Sequence, residues 1–107
     1  MPKLQCKVPQ RLSSAIADLR VEKDIKKGKA LKLLLQYALD NPDHEIEDFG
    51  DERAVSCTLS IGEAEYQETF EYRKKHKLTT RTEFFLDALK RGASAAKKDP
   101  LNGIEDH

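Results

Sequence analysis

Two six-residue segments, fifty-one positions apart, alternate strictly between polar or small and apolar side chains: Lys3-Leu4-Gln5-Cys6-Lys7-Val8 and Ala54-Val55-Ser56-Cys57-Thr58-Leu59. A period of two is that of a strand with one buried face and one wet face. Leu4, Cys6 and Val8 fall on one side of the first segment, as do Val55, Cys57 and Leu59 in the second. Lys3, Gln5 and Lys7, and Ala54, Ser56 and Thr58, fall on the other. A lone short strand does not persist in water, so each segment needs a partner, and the obvious partner is the other copy. The chain is thereby restricted to folds in which a two-stranded ribbon lies over something that covers its apolar side.

That covering material reads as helical. Pro9 opens a helix over Gln10–Lys23, where Leu12, Ala15, Ile16 and Leu19 recur at helical spacing. Lys26-Lys27-Gly28-Lys29 reads as a turn into a second helix over 29–40. Its stripe of Leu31, Leu34, Leu35 and Ala38 is widened by Leu33, Tyr37 and Leu39, which implies burial against more than one neighbour. Asn41-Pro42 closes it. Residues 41–52 are acidic, contain proline and glycine and show no period; they read as a linker, with Ile46 and Phe49 as the side chains able to pin it.

After Leu59 the pattern predicts a helix over 62–76 with Ala64, Tyr66 and Phe70 as apolar contacts, then Lys77-Leu78-Thr79 as a turn. Thr80-Arg81-Thr82-Glu83 has the form of a capping box, the Thr80 oxygen taking the Glu83 N–H and the Glu83 carboxylate returning to the Thr80 N–H. Phe84, Phe85, Ala88 and Leu89 follow, Gly92 ends the helix, and 93–107 reads as a flexible tail. The order strand, helix, helix thus occurs twice, and a shift of fifty-one lays Leu34, Leu35 and Ala38 on Phe85, Leu86 and Leu89. The expected fold is mainly α with a two-stranded antiparallel ribbon: residues 1–92 form one intramolecular pseudo-two-fold domain, with repeat one at 3–40, the linker at 41–52 and repeat two at 53–92.

Nineteen Lys/Arg balance nineteen Asp/Glu, a sum that taken alone argues against a polyanionic partner. The charges are segregated, however. Residues 1–40 carry a net of +5, 41–52 a net of −6, 53–92 about +2 and the remainder about −1. No apolar run approaches the ~20 residues that span a bilayer, and the N-terminus lacks the apolar core of a secretory signal, so a cytoplasmic location without membrane contact is expected. Cys6 and Cys57 occupy equivalent inward positions and belong to no CxxC pair, so they read as core side chains; no metal and no cofactor is expected. No catalytic cluster emerges and His76 and His107 stand alone, so an enzyme is not expected.

In Val55-Ser56-Cys57-Thr58-Leu59-Ser60 and Leu78-Thr79-Thr80-Arg81-Thr82-Glu83-Phe84 the chain resembles the ribbon-helix-helix family of the Arc and MetJ repressors, here as a tandem, single-chain form. The resemblance covers Lys3 to Gly92 apart from the linker. It departs in two places: Lys77 stands where the family commonly has a glycine, and Lys27-Gly28-Lys29-Ala30 replaces the threonine-rich start of the second helix. It implies sequence-specific binding of double-stranded DNA, most simply as a transcriptional repressor. An accessory protein for plasmid partition or for the conjugative relaxosome is the alternative, associated with plasmid or nucleoid. From another class, an antitoxin-like module would hold a protein through the tail.

The residues suit the DNA reading. A ribbon enters the major groove, where Lys3 and Lys7 can donate to guanine O6 and N7, Gln5 can pair with adenine, Ser56 and Thr58 can bond base edges, and Ala54 offers apolar contact. The plainer reading is a solvated face whose lysines guard an edge strand. Helix N-termini attract phosphate, so Thr79, Thr80 and Arg81 are expected on one backbone and Lys26, Lys27, Gly28 and Lys29 on the other. Because the halves present Lys/Gln/Lys and Ala/Ser/Thr, one chain should read an asymmetric site, with further copies side by side producing any palindrome.

Overall fold

A computed structural model describes residues 3–98. The element order is β1 (Lys3–Val8), α1 (Gln10–Lys23), α2 (Lys27–Asp40), β2 (Val55–Ser60), α3 (Glu63–Gln67), α4 (Phe70–Lys75) and α5 (Arg81–Lys98). β1 and β2 pair antiparallel, with Leu4 opposite Leu59, Gln5 opposite Thr58, Cys6 opposite Cys57 and Lys7 opposite Ser56. The architecture is mainly helical with one two-stranded antiparallel sheet.

The period-two pattern is realised as burial. Leu4, Cys6, Val8, Cys57 and Leu59 are buried and Val55 half-buried, while Lys3, Gln5, Lys7, Ser56, Thr58 and Ser60 are exposed. Each fully buried Leu or Phe contributes about 1.5–3 kcal/mol, against a net of about 1 kcal/mol for a ladder hydrogen bond. The ribbon is therefore held chiefly by its inner face, which β1 lays on α5 and β2 on α2. Beneath it α2 and α5 pack on each other through Leu31, Leu34, Leu35 and Ala38 on one side and Phe84, Phe85, Ala88 and Leu89 on the other. They meet so closely at Gly92 that a Cβ there would lie 1.9 Å from the Leu34 carbonyl oxygen. Gly92 is a packing glycine.

Several sequence expectations change. Gly92 does not end the last helix: α5 runs on to Lys98, with Ala93, Ser94, Ala95 and Ala96 buried, so 93–98 is part of the fold; 99–107 lies outside the described residues. The helix expected over 62–76 is two helices, interrupted where the Thr69 hydroxyl and N–H both donate to the Tyr66 carbonyl, at 2.6 and 3.1 Å. Such a local side-chain bond competes with the helical ladder. Ala64 and Phe70 are exposed, and Thr69 and Tyr72 are the buried residues of this segment. α2 starts at Lys27, so Gly28 and Lys29 lie in its first turn. Asp24 and Lys77, which follow the helices of the two halves, take positive φ of 53° and 54°; Lys77 thus holds the left-handed conformation for which glycine is the usual choice.

The acidic linker is docked on the body. Arg91 donates from Nε to the His44 carbonyl at 3.1 Å and from Nη1 to the Pro42 carbonyl at 3.4 Å, Asp43 pairs with Lys75, and the Glu47 N–H donates to Ser94 Oγ at 2.9 Å. Phe49 is buried, Ile46 half-buried, and Glu52 accepts the Gln10 N–H at the start of α1. No helix among the described residues is long and apolar enough to cross a membrane.

Candidate nucleic-acid interface

The outer face of the ribbon presents six polar side chains in two facing rows. Lys3, Gln5 and Lys7 stand opposite Ser60, Thr58 and Ser56 respectively, and all six are exposed. The rows supply two ammonium donors, an amide that both donates and accepts, and three hydroxyls. Ala54, expected among them, lies one residue before β2, where its N–H donates to the Val8 carbonyl at 3.0 Å. Ser60 takes the position at the other end of the row; carrying the alternation one step past Leu59 would have found it.

The helix N-termini beside the ribbon differ in kind. At α2, Lys26 is the N-cap without a side-chain cap bond, and the first turn contains no acid. Lys27 Nζ donates to the Ser56 carbonyl at 3.2 Å, which ties this helix end to the back of β2's outward-facing residue. A Cβ on Gly28 would meet nothing within 4 Å, so the backbone is open on that side. Lys26 and Lys29 are exposed.

At α5 the chain caps itself. Thr80 Oγ1 accepts the Glu83 N–H at 3.1 Å, as the capping box requires. The Glu83 carboxylate, however, accepts from the N–H and hydroxyl of Thr79, both at 3.2 Å, rather than from the Thr80 N–H. Thr79 is thereby occupied. Arg81 lies over the Tyr66 ring, its guanidinium carbon 5.3 Å from the centroid, and Arg73 lies over the same ring at 4.2 Å. Arg73 is a residue that the helical pattern had not singled out; it also donates to Thr69 Oγ1 at 2.8 Å and the Tyr66 carbonyl at 3.3 Å, bracing the break between α3 and α4.

Burial sets the ionisation of the inward thiols and Tyr72. The Cys6 thiol is pushed up to about 12, by burial first and by Cys57 second, with Lys90 opposing. Burial also raises Cys57, opposed by Lys27. Tyr72 is raised by burial and by donating to the Asp87 carboxylate at 2.5 Å. Lys75 beside Asp43 holds that carboxyl below its ordinary range. His76, isolated in sequence, meets Arg91 Nη1 at 2.9 Å and the Pro42 carbonyl at 2.8 Å through Nε2.

No protein-family model matches the chain, and neither the curated proteins nor the solved structures contain a match to it.

Proposed function

We propose that the chain binds double-stranded DNA sequence-specifically, with the ribbon in the major groove and phosphate contacts from the helix ends that flank it, and that it acts as a transcriptional repressor in the cytoplasm. The observation that carries the reading is the exposed six-residue polar face of a ribbon whose other face is buried. A groove-reading element needs such a surface, rich in donors and rigidly backed.

The halves are read as a pseudo-two-fold pair. The register supports this: Cys6 pairs with Cys57, its own counterpart at a shift of fifty-one, while Leu4 pairs with Leu59 and their counterparts Val55 and Val8 pair with each other. Reading is unequal at the two ends. The α2 end offers Lys26, Lys29 and open N–H groups, whereas at the α5 end Glu83 already lies at the helix start and Arg81 rests on Tyr66. Most of the backbone attraction is assigned to the α2 end, and Gln5, Lys3 and Lys7 opposite hydroxyl residues define an asymmetric site. The plasmid-accessory alternative uses the same surface.

The test is selection of DNA from a random pool by the full chain, followed by binding of two variants. Gln5→Ala should relax preference at one position, costing about 1–3 kcal/mol on the selected site. Lys29→Ala should weaken binding to all sequences alike and flatten the salt dependence. Lys29 is the cleaner probe than Lys27, whose ammonium also holds the ribbon. Equal losses for both variants on every sequence, or binding indifferent to salt, would overturn the proposal.

A further inference from the structure

Cys6 and Cys57 stand directly opposite each other on the ribbon, both as free thiols on its buried face. Directly opposed residues of an antiparallel pair have Cα atoms about 4.5 or 5.5 Å apart, depending on the kind of pair, and both spacings lie within the ~4.4–6.8 Å that a disulfide spans. Their Cβ atoms are typically about 4.5–5.5 Å apart, wider than the ~3.8 Å of a relaxed bridge. Closing the bond therefore draws the strands together and stores strain, and strained bridges are the reducible ones. Lysines bear on both thiols, Lys90 on Cys6 and Lys27 on Cys57, each favouring the thiolate. The chain contains two cysteines, so a single intrachain pairing exists.

We propose that Cys6 and Cys57 form a redox modification site, closing to a reversible cross-strand disulfide by exchange with a low-molecular-weight disulfide. The thiolate of Cys6, the less deeply buried of the two, attacks one sulfur of the small disulfide; an S–S bond forms to the protein and one small thiolate leaves. The Cys57 thiolate then attacks Cys6 Sγ, forming the intrachain bond and releasing the second small thiolate. Two electrons pass from the protein thiols to the small disulfide, and their two protons end on the released thiols. Burial limits the thiolate, so exchange proceeds through opening of the ribbon. Gln5, Lys7, Ser56 and Thr58 are the chain neighbours of the two cysteines and shift when the strands draw in. The site itself does not depend on the DNA reading.

The full chain, incubated with oxidised glutathione in native buffer and in urea below the unfolding transition, is alkylated and weighed. The expected product is a monomer lighter by two hydrogens with no alkylatable thiol, formed faster in urea and reopened by excess reduced glutathione. Cys6→Ala and Cys57→Ala should never show the two-hydrogen loss. Wild-type protein that stops at the glutathione adduct, links chain to chain or keeps both thiols under both conditions would overturn the site. A bridge that reduced glutathione cannot reopen would overturn its reversibility.

Discussion

The two halves of the molecule place similar strands side by side but support them differently. In the first half α1 is one continuous helix that buries Leu12, Ile16 and Leu19. In the second, α3 and α4 are short and interrupted, and between them bury Thr69 and Tyr72. Polar bonds do there what apolar contacts do in α1. Arg73 braces the break, Tyr72 bonds Asp87, and Arg91 gathers Tyr72, Asp87 and the linker carbonyls. The inner face of the ribbon is thus covered by an apolar solution on one side and a hydrogen-bonded one on the other.

The largest expected effects break this contrast if they fail. Ile16→Ala should cost about 2–5 kcal/mol, because it empties a core position. Gln67→Ala, at the position fifty-one residues on, should stay within about 0.5 kcal/mol, because Gln67 is exposed. Urea unfolding of both variants checks the pair, and comparable losses would mean that the second half is packed as the first is.

Next comes the polar latch. Arg91→Leu leaves the Pro42 and His44 carbonyls and the Tyr72–Asp87 pair without their shared donor. The His44 carbonyl loses the Arg91 bond, while Pro42 keeps His76 Nε2 and Tyr72 keeps Asp87; a buried acceptor left without its donor costs about 1–3 kcal/mol. Unfolding should shift accordingly, and limited proteolysis should cut within 41–52 sooner than in the wild type. Unchanged protection of the linker would show that Phe49 and Ser94 hold it without Arg91.

These contrasts also mark what the residues alone could disclose. The ribbon was legible because a period of two has one interpretation once a partner copy exists, and α1 because Pro9 and its apolar spacing fix both start and face. The break at Thr69 was not, since a hydroxyl competing for a carbonyl leaves no mark on hydrophobic periodicity. Gly92 was ambiguous in principle: a glycine after an apolar run can end a helix or admit a neighbour, and the approach of Leu34 decides for the second. Ser94 reads as tail because its hydroxyl is engaged by the linker at Glu47, a contact distant in sequence. The exposed polar rows of the ribbon follow the period of two, Ser60 taking the place expected of Ala54, whereas the occupation of Thr79 by Glu83 depended on which N–H the carboxylate chose.

The helix ends sharpen the comparison with smaller effects. Thr80→Ala removes the α5 cap and should cost about 1 kcal/mol. Lys26→Ser gives α2 the cap it lacks and should stabilise by up to about 1 kcal/mol. On DNA the same substitution should weaken binding, since it removes a cation and engages an open N–H. A Lys26→Ser variant that gains stability and keeps full affinity would move the backbone contact away from α2.

Alkaline pH probes the buried ribbon thiols and Tyr72 in different ranges. Cys6 is raised from an ordinary 9.0 to about 12, so between these values the folded chain holds a proton that the unfolded chain has lost. Stability from this thiol is complete below pH 9 and is lost as pH climbs toward 12. Tyr72 is raised from 10.0 by burial and by Asp87, so its contribution starts to fall only above pH 10. Unfolding midpoints measured under reducing conditions from pH 8 to 11 should decline for the wild type. The decline should be shallower from pH 9 upward in Cys6→Ala, and shallower only above pH 10 in Tyr72→Phe. If Cys6→Ala follows the wild-type slope throughout, the ribbon opens before its thiol titrates.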